Sequence, residues 1–348
     1  MSTLKVNTIN AATSGQAVDV DIKSPKSFRN LIINGQFQIW QRKTDSGASQ
    51  TSTTFIADRW QINASGGTYQ CTRQAFTEAQ TDVPSYPQYY HRLSVTTGAN
   101  DSGPRQKIED VRSVQGQHTL SFWARGTNPA GGHLDAHIRQ DYGDGGSTEE
   151  TAILGAVTLN ATSTTWTKYS FTFTPNSLSG KTIGDNSYFQ VAFKQPTDDT
   201  GTAAWSLDLA NVQVEQGSIA SDFERRSAGD EAIRCYRYCY IEKANNGDYM
   251  GLNGLVTTSQ AVNANRVLPV PMRTIPSYTG TATDLEFQSY DTTAMKHFDD
   301  GISAYRTPTT VPATVVNLKW DVSQTTAGHF AMCRCKEDGA QMIFSAEL

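Results

Sequence analysis

The segment NLIINGQFQIWQR, residues 30–42, opens the part of the chain that carries a β pattern and therefore decides the fold. An apolar run at Leu31–Ile33 precedes Asn34–Gly35, two residues that tolerate the positive φ angles of a tight turn. A second apolar run follows the turn. The pattern predicts a hairpin that places these side chains in or near the core: Ile33, Phe37, Ile39 and Trp40.

From residue 30 to about residue 223, short segments alternate apolar and polar residues between Gly, Pro, Asn and Asp. This pattern is typical of antiparallel strands with one buried face. The clearest segments are 118–125, 133–140, 166–175, 188–195 and 205–216. In the last of them the alternation slips near Ala210–Asn211, as a β-bulge would cause. Many such strands with almost no helical periodicity predict an all-β fold, an antiparallel jelly-roll β-sandwich.

The pattern changes after this predicted sandwich. Ser227 with Asp230 forms a capping start, and apolar residues then recur at helical spacing for a short stretch. Alternating segments return afterwards and predict a smaller C-terminal β domain. The predicted division is an N-terminal attachment arm at 1–28, the jelly roll at 29–225, a helical linker at 226–242 and the C-terminal β domain at 243–348.

The predicted arm has only brief alternation around the segment AATSGQ. Two short strands cannot bury a core by themselves and need a partner surface. Two interpretations follow. The arm is either a disordered tail or an extended segment that adds its strands to another copy or to a docking protein.

Composition and charge exclude several classes of function. The charged fraction is 18%, below the roughly 25% of typical soluble domains, and the net charge is −5 without any cluster of Lys and Arg. Nucleic-acid binding and binding to anionic membranes are therefore not expected. No apolar stretch is long enough for a signal peptide or a membrane span, which predicts synthesis in a cytoplasm without membrane insertion. The five cysteines do not suggest a disulfide framework.

Catalytic motifs are absent from the sequence, including G-x-S-x-G, the Walker loop and H-E-x-x-H. We therefore predict no catalytic residue and no enzymatic activity. His133, Asp135 and His137 would share one strand face but spread over about 13 Å, too far to bind one metal ion together. The gaps within the pairs Cys235–Cys239 and Cys333–Cys335 differ from a C-x-x-C zinc motif. The spacing thus predicts no metal site.

A polar face is the strongest candidate for a binding site. If the strands at 118–125, 133–140 and 188–195 share one sheet, their polar side chains point to the same side. Sugar recognition uses this mixture of an aromatic ring with planar hydrogen-bonding groups. The alternative is that the face packs against a neighbouring subunit, since Trp, Tyr and Arg are also enriched in interfaces. The predicted glycan-binding residues are Trp123, Arg125, Asp135, His137, Arg139, Tyr188 and Gln190.

Several segments, taken in their order along the chain, carry a resemblance to a known family. They are NLIINGQFQIWQR (30–42), ADRW (57–60), IEDV (108–111), GQHTLSFWAR (116–125), DYGDGGS (141–147), TTWTKYSFTF (164–173) and LANVQVEQGSIASDFERRSAGDEAIRCYRYCY (209–240). Together with the opening MSTLKVNTI and the ending SAEL, they resemble a family of bacteriophage tail-fibre and virion-appendage proteins. The resemblance covers most of residues 1–240 and is thin from 241 to 344.

The resemblance implies a structural protein of the phage virion whose jelly roll is similar to carbohydrate-binding modules. It implies a homotrimer, an arm that joins other phage tail proteins, and attachment to polysaccharide of the host surface. It also implies a calcium ion with Asn34 and Asp208 as oxygen donors, although Gln36 stands where the family often carries an acid. Two alternatives are a connector or decoration protein without receptor contact, and a polysaccharide depolymerase.

Overall fold

The structure is a computed structural model, and it describes residues 29–159, 165–258, 261–280, 285–291, 294–298, 304–306, 313–321 and 329–348. The predicted attachment arm at 1–28 lies outside the described residues. The strands of the first half are β1 (Thr54–Phe55), β2 (Gln61–Asn63), β3 (Thr68–Ala75), β4 (Tyr89–Thr97), β5 (Gly103–Glu109), β6 (His118–Thr127), β7 (Leu134–Asp141), β8 (Glu150–Val157), β9 (Thr167–Phe173), β10 (Tyr188–Lys194) and β11 (Trp205–Gln216).

These strands form two antiparallel sheets in the described part of the chain. The front sheet has the order β1-β2-β5-β10-β7-β8, and the back sheet has the order β3-β4-β11-β6-β9. Alternate residues of each sheet meet in one core, among them Phe189 and Val191 from the front sheet and Leu120 and Phe122 from the back sheet. The predicted antiparallel jelly-roll sandwich is confirmed. So is the bulge in β11, where the register shifts between Ala210 and Gln213.

The opening segment differs from the predicted hairpin. A turn is present at Asn34, whose φ of 56° is positive, but the flanking residues form no regular strands. The side chain of Asn34 makes the hydrogen bonds that a paired strand would otherwise make with the backbone of Ile39. Its Nδ2 donates to Ile39 O at 2.8 Å, and its Oδ1 accepts from Ile39 N at 3.0 Å. Phe37 and Trp40 are buried core residues, whereas Ile33 and Ile39 are half-buried.

The same segment lies beside the second half of β11, the middle strand of the back sheet. The backbone N–H of Leu31 donates to Val214 O, and that of Val212 donates to Gly35 O, both at 2.9 Å. A Cβ atom at Gly35 would lie 2.1 Å from Val212 O, so only glycine permits this approach. The opening segment therefore runs beside β11 and covers the core from outside the two sheets.

A short helix follows the sandwich, as predicted. Helix α1 (Ala228–Tyr236) begins at Ser227, whose hydroxyl accepts a hydrogen bond from Asp230 N at 3.1 Å. In the described residues, no helix has the length and apolar character needed to cross a membrane. The strands that follow are β12 (Cys239–Ala244), β13 (Tyr249–Thr258), β14 (Ala261–Met272), β15 (Ser277–Gly280), β16 (Leu285–Asp291), β17 (Ala294–Phe298), β18 (Ala304–Arg306), β19 (Ala313–Asp321), β20 (Phe330–Cys335) and β21 (Ala340–Ser345).

These later strands form a second sheet pair within the described ranges, with the orders β12-β21-β15 and β17-β16-β20-β13-β14-β19-β18. They bury a core of their own that includes Met250, Val262, Met342 and Phe344. A turn with Gly339 at a φ of 76° separates β20 from β21. The predicted boundaries at 225 and 242 stay a prediction.

Candidate functional site

The outward side of the front sheet brings together polar side chains from three neighbouring strands. Along β5, β7 and β10, the residues between those of the core point away from it. The register places Lys107, Gln190 and Arg139 in one row across the strands. We call this surface the front face and define it by Arg105, Lys107, Glu109, Asp135, His137, Arg139, Asp141, Tyr188, Gln190, Ala192 and Lys194.

The front face has a buried layer beneath an accessible one. Asp135, His137 and Gln190 are only 3%, 6% and 3% exposed. Asp101, from the loop before β5, reaches this face and lies 2.6 Å from Lys194 Nζ. The side chains of Arg105 and Lys107 are half-buried. Long cationic side chains therefore form much of the surface that a ligand would meet.

Three polar atoms of this face have no hydrogen-bond partner among the described residues. They are Asp135 Oδ2, His137 Nδ1 and Arg139 Nε. A buried polar atom left unpaired costs about 1–3 kcal/mol, and most such atoms in native proteins find a partner. The three lie on successive outward positions of β7 and form one row. A ligand rich in hydroxyl groups carries both donors and acceptors for this row, and it reaches the three buried atoms once neighbouring side chains move aside.

Burial sets the charge states on the front face. It lowers the pKa of His137 to about 4, with the neighbouring Lys194 charge acting in the same direction. The imidazole is therefore neutral near pH 7 and offers one donor and one acceptor. Burial also raises the pKa of Asp135. Burial and the adjacent Arg105 charge lower the pKa of Lys107 to about 8.

Tyr188 provides the aromatic ring of the front face. The ammonium of Lys107 lies 4.1 Å from the centroid of this ring, a distance typical of a cation–π contact. Burial, followed by a hydrogen bond with Asp141, raises the pKa of the phenol to about 12. One side of the ring is thus already in contact with a cation.

The predicted site is wrong in one respect, because Trp123 and Arg125 do not lie on the front face. Their strand, β6, pairs with β9 and β11 in the back sheet. Arg125 Nε donates to Asp208 Oδ2 at 2.9 Å, and its guanidinium lies 4.7 Å from the Trp166 ring. Trp123 packs against a small apolar cluster of the back sheet that includes Tyr90 and Trp166. Alternation assigns residues to the faces of a strand but does not tell which sheet the strand joins.

A separate small depression lies beside Trp123 on the back sheet. Lys168 and Asn211 also line it. The other five predicted residues, Asp135, His137, Arg139, Tyr188 and Gln190, do share the front face. The structure therefore divides the predicted set between the two outer sides of the sandwich.

The calcium ion expected from the resemblance does not fit these residues. Both carboxylate oxygens of Asp208 accept hydrogen bonds from Arg92, at 2.7 Å each, and Arg125 donates to Oδ2 as well. Asn34 lies in the opening turn, where its side-chain oxygen accepts a hydrogen bond from Ile39 N. Gln36 donates instead to Asn211 Oδ1 at 3.3 Å. Asn34 and Asp208 therefore hold other groups and offer no shared oxygen site.

Metal ligation by His and Cys gains no support from the described part of the chain, where no three His, Cys, Asp or Glu side chains come together as a metal site. His133 Nε2 lies 3.6 Å from Asp135 Oδ1. All five cysteines are buried. Burial raises the pKa of Cys71, Cys235 and Cys239, which keeps those thiols protonated.

The front face also carries three cations outside the predicted set: Arg105, Lys107 and Lys194. Lys194 belongs to a predicted strand but was not assigned to the site. Arg105 and Lys107 lie on β5, which was not recognised as a strand. The sequence does contain the alternation expected of a strand here, since Arg105 and Lys107 alternate with the inward-facing Gln106 and Ile108. The polar Gln106 on the inward side masked the period-two pattern.

Comparison with known proteins agrees with a carbohydrate-binding domain in the first half. Residues 30–200 match the family described as "Carbohydrate binding domain". No curated protein matches the chain.

Several solved structures are similar to part of the chain, at low identity. The CBM22-1 xylan-binding domain from Paenibacillus barcinonensis Xyn10C is 13% identical over 50% of this chain and 94% of its own, with a TM-score of 0.29. The C-terminal family 22 carbohydrate-binding module of Clostridium thermocellum Xyn10B is 10% identical over 53% of this chain and 97% of its own, with a TM-score of 0.30. The Stig cyclase Fisc from Fischerella sp. TAU is 11% identical over 53% of this chain and 96% of its own, with a TM-score of 0.33.

Proposed function

We propose that this chain is a non-catalytic subunit of a phage tail fibre or virion appendage that binds host-surface polysaccharide through the front face. The observation that carries the binding part is the row of buried, unpartnered polar atoms at Asp135, His137 and Arg139. This row belongs to the part of the chain that matches a carbohydrate-binding family. The work of the site is recognition rather than bond cleavage.

The chemistry of the row suits a saccharide. Asp135 Oδ2 accepts a hydrogen bond, Arg139 Nε donates one, and the neutral imidazole of His137 does either. Sugar hydroxyls both donate and accept, and because the three residues span about 13 Å along β7, hydroxyls of successive sugar units would pair with the three atoms. Binding would remove the cost of leaving those atoms unpaired, which makes the interaction favourable despite the loss of water from the hydroxyls.

The virion part of the proposal rests on the resemblance over residues 1–240. It includes a homotrimer, location in the virion and attachment of residues 1–28 to other tail proteins. An apolar patch on the later strands supports assembly. Leu255 and Phe330 are cross-strand neighbours and are 51% and 57% exposed. Val267 (69% exposed) faces Val315 in the same way. Such patches are typical of association surfaces, and second copies of the chain would cover this one.

Glycan binding is tested with the full chain on an array of bacterial surface polysaccharides. We expect His137→Ala to weaken binding by about tenfold, the effect of losing one or two hydrogen bonds within a site. Lys168→Ala on the exposed outer side of the back sheet is the matched control and should bind as the unchanged protein does. Equal binding by both variants, or no bound glycan at all, would contradict the proposal.

The connector and depolymerase alternatives make different predictions. If both ends of the chain are embedded in other proteins of a particle and the front face is covered, the chain is a connector. Release of reducing sugar from a host polysaccharide would identify a depolymerase. Light scattering of the full chain measures its molar mass and so tests the homotrimer. Phe330→Ser should lower the measured mass below that of a trimer.

A further inference from the structure

We propose that the polysaccharide is acidic and that Arg105 and Lys107 bind its carboxylate at one side of the front face. This inference rests on the proposed function and adds the class of ligand. It starts from the accessible layer of the front face. Two adjacent outward positions of β5 carry cations, about 7 Å apart along the strand.

The two cations line a small, narrow depression at the edge of the front face. Its other lining residues are Phe55, Arg59, Gln61 and Leu348. Arg105 Nε donates to Gln61 Oε1 at 2.8 Å, which holds the guanidinium in place and leaves its terminal nitrogens for another acceptor. A fixed guanidinium beside an ammonium and an amide is the kind of site that binds carboxylates.

The acids near the front face already have partners of their own. Glu109 accepts hydrogen bonds from Arg237 at 2.7 and 2.9 Å and from Tyr238 at 2.8 Å. Lys194 Nζ lies 2.6 Å from Asp101 Oδ1. These acids are therefore neutralised within the protein.

The remaining acids on this side are also engaged or buried. Glu149 lies 3.0 Å from Arg139, and Asp141 accepts from Gly143 N at 2.9 Å. Asp135 Oδ1 lies 3.6 Å from His133 Nε2. The guanidinium of Arg59, the third cation of the depression, is bound by Glu347.

Among the described residues, Arg105 and Lys107 are the front-face cations that form no close ion pair, although Asp101 acts on Arg105 and Asp141 on Lys107 from further away. Within the described residues, neither has a carboxylate oxygen within 4.0 Å. Burial and the Arg105 charge lower the pKa of Lys107, with Arg139 and Arg59 acting in the same direction and Asp141 opposing them, so the cations around Lys107 repel it in the free protein. An anionic group between them would relieve that repulsion. A neutral sugar would leave the repulsion between the cations unchanged.

The cationic pair and the polar row are close enough for one ligand to reach both. Arg105 faces Ala192 on β10, and Ala192 faces His137 on β7. Two strand spacings amount to about 10 Å, and the residue between them has the smallest side chain of the front face. A saccharide lying across β10 could place its carboxylate on β5 and its hydroxyls on β7.

The test compares polygalacturonate, alginate and hyaluronan with the carboxyl-reduced form of each, by isothermal titration of the full chain. We expect at least one acidic polymer to bind about tenfold or more tightly than its reduced form, since a charge-assisted pair is worth more than a neutral hydrogen bond. Arg105→Gln with Lys107→Gln should remove that difference. Lys168→Gln with Lys43→Gln removes the same number of charges from exposed positions outside the front face, so this control should retain the difference.

The outcomes separate the two proposals. If an acidic polymer and its reduced form bind equally, and His137→Ala weakens both, the front face binds glycans but the acidic preference is wrong. Binding to neutral array glycans alone would likewise overturn the acidic preference and leave glycan binding in place. If neither acidic nor neutral polymers bind, both proposals are overturned. Loss of the preference in the double variant, with the thermal midpoint of unfolding unchanged, supports the inference.

Discussion

The guanidinium of Arg59 lies 3.4 Å from the centroid of the Tyr238 ring. The same group donates to the carboxylate of Glu347 and, at 2.6 Å, to the carbonyl oxygen of Lys107. One buried side chain thus connects the sandwich, the segment after helix α1 and the end of the chain. It also holds the backbone of the strand that carries the cationic pair.

Removing this connection should destabilise the protein. We expect Arg59→Met to lower the free energy of unfolding by about 3–5 kcal/mol, because it leaves the buried carboxylate of Glu347 short of a partner. Chemical denaturation followed by tryptophan fluorescence measures the loss. Arg112→Met is the matched control, since the ion pair of Arg112 with Asp110 is exposed and should contribute less than about 1 kcal/mol. Equal stability of the two variants would contradict this role.

Acid should destabilise the sandwich through His91. This residue is 0% exposed, and its Nε2 lies 3.1 Å from Cys71 Sγ. Burial lowers its pKa to about 4, below the value near 6.5 of an unfolded chain. As pH falls, the unfolded chain therefore takes up the proton first. Stability should decline between about pH 6.5 and pH 4, by at most about 1.4 kcal/mol per pH unit.

The variant His91→Phe tests that assignment, because phenylalanine cannot take up the proton. Urea unfolding at pH 7, 6, 5 and 4 should show a shallower decline than in the unchanged protein. His133→Phe, at a part-exposed position, is the control and should keep the full decline. An identical pH dependence in all three proteins would show that other groups determine the acid sensitivity.

Binding of an acidic polysaccharide should weaken at alkaline pH. The pKa of Lys107 is about 8 in the free protein, so its ammonium loses the proton as pH rises through that value and the attraction to a carboxylate falls. Affinity should therefore drop between pH 7 and pH 9. In Lys107→Arg the cation stays charged over this range, and the drop should disappear. A drop of the same size in both proteins would point to another titrating group.

Trp123 should contribute to stability and not to glycan binding, because it lies on the back sheet. We expect Trp123→Ala to cost about 1–3 kcal/mol, less than a fully buried tryptophan since the side chain is half-buried. Its affinity for the array glycans should equal that of the unchanged protein, measured beside His137→Ala. A selective loss of binding in Trp123→Ala would move the site to the depression that Trp123 lines.

The start of the folded domain should lie at residue 29. Asn30 is buried, and its Oδ1 accepts from Val214 N at 3.1 Å while its Nδ2 donates to Val212 O at 3.2 Å. Deleting 1–28 should leave a soluble sandwich with unchanged circular dichroism but abolish incorporation into particles. Deleting 1–40 removes Phe37 and Trp40 from the core and should prevent folding. Unfolding of the shorter deletion would place the boundary earlier.

Much of the sandwich follows from the sequence. Alternation alone places Leu134, Ala136 and Ile138 in the core and sends Asp135, His137 and Arg139 to the opposite side, because successive side chains of a strand point to opposite faces. The same local rule locates the bulge of β11, and the capping pair Ser227 and Asp230 locates helix α1. Each of these features depends on residues that are near neighbours in the chain.

The membership of the sheets could not be predicted in this way. β10 pairs with β5, about eighty residues earlier, while β6 joins β9 and β11 in the other sheet. Such pairing depends on how distant segments share one core, and a period of two carries no information about it. The sequence by itself therefore determined which side chains leave the core. Only the tertiary structure decided that Asp135, His137 and Gln190 face the cations of β5, and that Trp123 does not.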